Sequence, residues 1–142
     1  MAKIEITNMI MVQNPENNQV LVQKRVKYWC GITFPGGHLE NSESLYDSAV
    51  REVKEETGLT LLPENGTCIR SKMGDTCFSD VWLFRQDFDL KDVVLLEGET
   101  YDVMYASAEK IRQLRNEGIL CSYSYLDELL ECVVSNKPIK LA

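Results

Sequence analysis

"GHLENSESLYDSAVREVKEETGL", Gly37–Leu59, sets glutamates at positions 43, 52, 55 and 56 around a short apolar pattern. At 100° per residue, with Glu52 at zero, Leu45, Ala49, Val53, Tyr46 and Val50 fall between about 20° and about 160°, one arc suited to a core. The spacing predicts a helix over Ser44–Thr57, with Asn41 or Ser42 as N-cap and Gly58 ending it in a left-handed conformation. Glu55 and Glu56 fall at about −60° and about 40°, so Glu52, Glu55 and Glu56 form a stripe at the rim of the buried face. Arg51, Lys54 and Asp47 take the outer side.

Glutamates are common in solvated helices because Glu is a good helix former. Here, however, neighbouring carboxylates at the edge of a core repel. At 4 Å two like charges cost roughly 1 kcal/mol in water and about 4 at an effective dielectric of 20. Arg51 can reach Glu55 at i+4, but one arginine does not neutralise three carboxylates. A divalent cation would, and Mg²⁺ is commonly held by one or two carboxylates together with waters and substrate phosphates.

The rest of the chain narrows the chemistry. Its 142 residues suit one domain, 1–142, and its composition of 44% hydrophobic and 26% charged residues is ordinary for a globular protein. Five cysteines without a C-x-x-C pair read as reduced thiols, and His38 is the only histidine. His/Cys zinc clusters and Ser-His-Asp machinery are therefore not expected, which leaves a hard cation held by oxygen. A net charge of −7 without a basic stripe argues against nucleic acid. No apolar run approaches a membrane span and the N-terminus lacks a signal-peptide pattern, so a cytoplasmic location is expected.

Lys3–Val12 and Gln19–Arg25 flank the turn-forming "NPENN" and read as a long hairpin. "YWCGITFPGGH" reads as an irregular connection. Strands are expected at Thr67–Met73, Ser79–Asp87 and Tyr101–Ala106, and helices at "AEKIRQLRNEG" and "YLDELLECVVSN". This order predicts a mixed α/β sandwich.

The acidic segment also resembles a known family. Gly37, Glu43, Arg51, Glu52, Val53, Glu55, Glu56, Gly58 and Leu59 reproduce the Nudix box G-x5-E-x7-R-E-U-x-E-E-x-G-U without a departure, U being bulky and aliphatic. The resemblance implies an α/β/α sandwich with the box helix and the C-terminal helices on the faces of a mixed sheet. It also implies Mg²⁺-dependent hydrolysis, with Mn²⁺ as a substitute, of a nucleoside diphosphate linked to a group X. Glu55 and Glu56 match metal-binding positions, Glu52 a metal ligand or base, the Gly37 carbonyl a further ligand, and Arg51 the residue that orients the glutamates. Glu43 matches a helix-start and ion-pair residue. Outside the box, Glu99 is favoured over Glu97 as another acid near the metal. Gly36 and Gly37 let backbone approach the metal, while His38, Arg25 and Trp29 are candidate substrate contacts. Tyr28, Phe34, Trp82 and Phe84 could stack on a base but default to the core.

The likeness leans to MutT-type nucleoside triphosphate pyrophosphohydrolases, including those acting on oxidised guanine nucleotides. ADP-ribose or nucleotide-sugar hydrolysis is the nearest alternative, and a nucleotide-sensing module without turnover is a second. The partner expected is a small nucleoside diphosphate derivative, with a homodimer left open.

Overall fold

A computed structural model describes residues 3–25, 31–95 and 100–135. Among the described residues, seven strands form one mixed sheet: β1 Glu5–Gln13, β2 Val20–Arg25, β3 Gly31–Thr33, β4 Gly36–His38, β5 Gly66–Met73, β6 Cys77–Arg85 and β7 Thr100–Ala106. The α-helices of the described residues are α1 Leu45–Thr57, α2 Ala108–Asn116 and α3 Leu126–Ser135. The expected sandwich is the one observed.

The central strands read as near-continuous apolar runs because they are buried on both faces. Met9, Met11, Val20, Val22, Val81 and Leu83 pack with α2 and α3, through Ile111, Leu114, Leu129, Leu130 and Val133. Their neighbours Ile10, Val12, Leu21, Trp82 and Phe84 pack with Ala49 and Val53 of α1. Complete burial of Val53 contributes roughly 1.5–3 kcal/mol to seating that helix. A T-shaped contact between Tyr46 and Trp82, 4.9 Å between centroids, adds to it.

The hairpin expected from the first two strands is short. β1 meets β2 only at Gln13↔Val20, then turns away to run parallel to β6 from Glu5↔Cys77 to Gln13↔Arg85. β4 pairs with β1 over Thr7–Met9, and β3 pairs with β2 over Gln23–Arg25, taking up the hydrogen bonds left by the parting strands. The stretch expected to be irregular therefore contains two three-residue strands, joined through Phe34 and Pro35. The N-cap of α1 is Ser44, whose side chain accepts from Asp47 N, rather than Asn41 or Ser42. Ser42 is in a turn with φ 63, which leaves Ser44, at extended φ and ψ, to cap. Gly58 ends the helix in the left-handed region as expected, with φ 77.

Cys68, Cys77, Cys121 and Cys132 are free thiols. Among the described residues, no helix is long and apolar enough to cross a membrane.

Candidate active site

The site is built where the β3–β4 connection crosses α1. Arg51 is its hub. Its Nε and Nη2 donate to Glu43 at 2.7 and 3.1 Å, a two-point grip that fixes the plane of the guanidinium. Nη1 is 3.1 Å from Glu52, 3.0 Å from Glu55 and 3.4 Å from Glu40, while Nη2 also donates to the His38 carbonyl at 2.9 Å. The arginine expected on the outer side is instead drawn over the acidic edge, with 21% of its side chain exposed. Four carboxylates outweigh the solvation it gives up. The hydrogen bond from Arg51 holds Glu43 below the ordinary carboxylate range, and the same contact raises the Arg51 guanidinium.

The three stripe glutamates occupy different environments. Glu55 is half exposed. Glu52 is largely buried beneath Gly37, so closely that a β-carbon at Gly37 would overlap its carboxylate. Burial pushes Glu52 up, against the pull of Arg51 and with a further push from Glu55. Glu56 is no rim residue: it is 4% exposed, because β2 and β4 close over it. Gly36 N donates to its Oε2 at 3.0 Å, and Arg25 Nη1 lies 3.3 Å from its Oε1. Burial raises Glu56 from 4.5 to about 7, with Glu52 adding to the shift and Gly36 and Arg25 opposing it.

The loop is held at successive residues. Pro35 O accepts from Ile10 N at 2.8 Å, and Gly37 N donates to Asn8 Oδ1 at 3.0 Å. Asn8 in turn donates to Ser48 on the buried face of α1. A β-carbon on Gly36 would overlap the Asn8 backbone, so glycine is required there for close approach.

The structure thus brings Gly36, Gly37, Arg51, Glu52, Glu55, Glu56 and Arg25 together. Arg25 meets Glu56. The His38 side chain is exposed, 3.9 Å from Glu5, and only its carbonyl joins the cluster. Trp29, Tyr28, Glu97 and Glu99 lie outside the described residues. Phe34, Trp82 and Phe84 are in the core.

The donor set fits a hard cation, since it offers carboxylate and carbonyl oxygen only. Glu40, Glu43, Glu52, Glu55 and Glu56 face two guanidinium groups, Arg25 and Arg51, so the cluster has negative charge to spare. Among the described residues, no three acidic, His or Cys side chains converge on one point. Glu55 turns to Arg51 and Glu56 to Arg25 instead.

A cavity of about 350 Å³ adjoins this cluster. It shares Gly36 and Arg25 with the cluster, and its lining includes Phe34, Tyr123 and Tyr125 together with Thr7, Ser79 and Asp80. The tyrosines were missed in the sequence; their signal was the alternation in "CSYSY", Cys121–Tyr125.

A mixed sheet between helices, with a glycine loop laid against an acid-edged helix, defines a class of small α/β hydrolases. Residues 5–120 match the model of the NUDIX domain. The chain is 34% identical over 123 residues to an uncharacterized Nudix hydrolase of Listeria innocua, covering 82% of this chain and 72% of that protein. It belongs to the Nudix family, hydrolases of phosphorus-containing anhydrides. Its fold is similar to a Nudix hydrolase from Nitrosomonas europaea, with a TM-score of 0.73, 20% identity and coverage of 98% of this chain and 94% of that one. A MutT/Nudix family protein from Enterococcus faecalis has a TM-score of 0.63 and 24% identity over 74% of this chain. The alignment spans 44% of the length of that protein.

Proposed function

We propose that this protein is a MutT-like pyrophosphohydrolase that cleaves a nucleoside triphosphate to a nucleoside monophosphate and pyrophosphate, with oxidised guanine nucleotides among its candidate substrates. The observation that carries this reading is the cluster in which Arg51 grips four carboxylates beside a cavity sized for a small ligand. Ligand cavities run from about 300 to about 1,000 Å³, and one at the lower end suits a single nucleoside better than a dinucleotide.

Glu52, Glu55, Glu56 and the Gly37 carbonyl would hold Mg²⁺, or Mn²⁺ in its place. When bound, the ion supplies positive charge to phosphate oxygens that the acidic edge would otherwise repel. Arg51 fixes the glutamates through a fork that a lysine cannot reproduce. Gly37 leaves room for the Glu52 carboxylate under the loop. Burial makes Glu52 a better proton acceptor than an exposed glutamate, and Oε2, the oxygen not paired with Arg51, would take the proton of the attacking water. Glu99 is the rival base.

The test is a panel of nucleoside triphosphates, oxidised guanine nucleotides, ADP-ribose and nucleotide sugars, assayed with Mg²⁺ for pyrophosphate and phosphate release. Triphosphates are expected to turn over, with loss of most activity in Glu55→Gln. Glu52→Gln and Glu99→Gln, compared in pH–rate profiles, identify the base. Turnover of ADP-ribose or nucleotide sugars alone would move the protein to that substrate class. Nucleotide binding without turnover of any compound would make it a sensing module.

A further inference from the structure

Strand β2, "VLVQKR", opens with three apolar residues and breaks the run at Gln23. The strands on either side, β3 at Gln23↔Thr33 and β7 at Gln23↔Val103, enclose this residue, and it is only 1% exposed. Alternation along the strand sends its side chain to the same side as Leu21, which packs with α1, and Val103 packs on that side too. A strand buried on both faces ordinarily carries an apolar residue at such a position. The amide needs a reason.

Its hydrogen bonds supply one. Nε2 has two protons to donate. It donates to Thr33 Oγ1 at 3.5 Å, and the Gln23 side chain is also a donor to the Glu56 carboxylate. Arg25, two residues along the same strand, lies 3.3 Å from that carboxylate, and Gly36 N donates to it at 3.0 Å. Glu56 is therefore held twice by β2 and once by the glycine loop. Because both acceptors of Gln23 lie at its nitrogen end, Oε1 turns away from them. It is buried and, among the described residues, has no donor.

An orphaned buried acceptor lowers stability, and an apolar side chain of similar shape would remove that cost. The chain thus keeps a destabilising group at the one position on β2 from which a neutral donor reaches Glu56. The charge on the donor matters. The Arg25 guanidinium holds the carboxylate and also neutralises it, which works against a bound cation. The Gln23 amide holds it and leaves its charge intact. Partners of this kind, which orient a ligand without touching the metal, are worth about 10- to 100-fold in metal affinity or activity.

We propose that Gln23 is the positioning residue for Glu56: its neutral amide, oriented by Thr33, fixes the carboxylate for a divalent cation without cancelling the charge that attracts it. Gln23 acts through Glu56 and is not itself a ligand. The proposal rests on the reading of the acidic cluster as the metal site.

The test uses the full chain and MnCl2 alone, with free Mn²⁺ followed by electron paramagnetic resonance and no nucleotide present. Gln23→Met, unbranched and close to glutamine in length, should weaken Mn²⁺ binding about tenfold. The Tm of the same variant without metal should equal or exceed that of the unsubstituted protein, since the orphaned acceptor is gone. In turnover of the preferred triphosphate, the Mg²⁺ concentration for half-maximal rate should rise about tenfold, while KM for the nucleotide at saturating Mg²⁺ changes less than about threefold. Thr33→Val leaves Gln23 in place but removes its second acceptor, and should weaken Mn²⁺ binding about threefold. It decides the question if Gln23→Met does not fold. Unchanged Mn²⁺ affinity in folded Gln23→Met, or a lower Tm with unchanged affinity, would reduce Gln23 to a packing residue and overturn the proposal. Unchanged affinity in Thr33→Val would overturn the orienting role of Thr33, and absence of Mn²⁺ binding in the unsubstituted protein would overturn the positioning role as well. If the unsubstituted protein binds Mn²⁺ and Gln23→Met loses it, yet no compound is turned over, the hydrolase reading fails and the positioning role stands. If Glu55→Gln abolishes turnover while Gln23→Met binds Mn²⁺ as the unsubstituted protein does, the reverse holds.

Discussion

Replacing Glu56 with glutamine separates the cost of the site from its use. The buried carboxyl titrates near 7 in the folded protein against 4.5 as a free side chain. The folded state therefore holds the proton more tightly, and unfolding between these values releases it. Stability from this group is fully present below about pH 4.5 and is lost as pH rises through about 7. At a pH above both values the loss is about 3 kcal/mol. Glu56→Gln cannot ionise, and its amide oxygen can still accept from Gly36 N, although Arg25 loses an anionic partner. Urea denaturation of the metal-free proteins from about pH 5 to about pH 8 should show the variant gaining on the wild type by 1 to 3 kcal/mol. It should be the more stable protein at the upper end while being nearly inactive as an enzyme. Glu52 is also raised, but it is common to both proteins and largely cancels from the comparison. A difference between the two proteins that does not vary with pH, or a variant less stable at pH 8, would refute the reasoning.

The two glycines of the loop should respond in opposite ways. Gly37→Ala pushes against the movable end of Glu52, so thermal denaturation should change little while kcat falls at least about a hundredfold from a displaced carboxylate. Gly36→Ala pushes against the backbone at Asn8 and Met9, which cannot swing away, and should lose about 2–3 kcal/mol of stability. Arg51→Lys keeps a charge but not the fork, and should lower kcat about 10- to 100-fold and cost about 1–2 kcal/mol in denaturant unfolding. Treatment with EDTA should abolish pyrophosphate release, with recovery on adding Mg²⁺ and partial recovery with Mn²⁺.

Much of this site was legible because a helix converts spacing into direction. Ala49 and Val53 mark the buried face and Gly58 the end, and both read correctly from the sequence. Glu56 was misread as a rim residue although its angle of about 40° falls inside the apolar arc, between Leu45 and Ala49. Charge normally overrides such a position, and donors supplied by other elements, Gly36 N, Arg25 and the Gln23 side chain among them, make it tenable. Arg51 was misplaced for a related reason: its Cα lies on the outer side, but its long side chain turns back to partners that include Glu43 and the His38 carbonyl. The parting of β1 from β2 could not be read locally, since the turn at "NPENN" predicts a hairpin and says nothing about the strand that displaces it. Strands as short as β3 and β4 leave too few residues for alternation to show, and the tyrosines line a cavity that exists only once the chain has closed.

The parallel pairing of β1 with β6 has a consequence for how the protein is made. Every pair in that ladder joins residues 72 positions apart, from Glu5↔Cys77 to Gln13↔Arg85. A nascent chain that has just completed α1 has its glutamates but lacks the strand against which β1 is aligned. Contacts of such separation are slow to form, because a long loop must close before they are rewarded. The acidic helix therefore emerges from the ribosome before the framework that organises it, and it acquires working geometry only after β6 has been synthesised and docked.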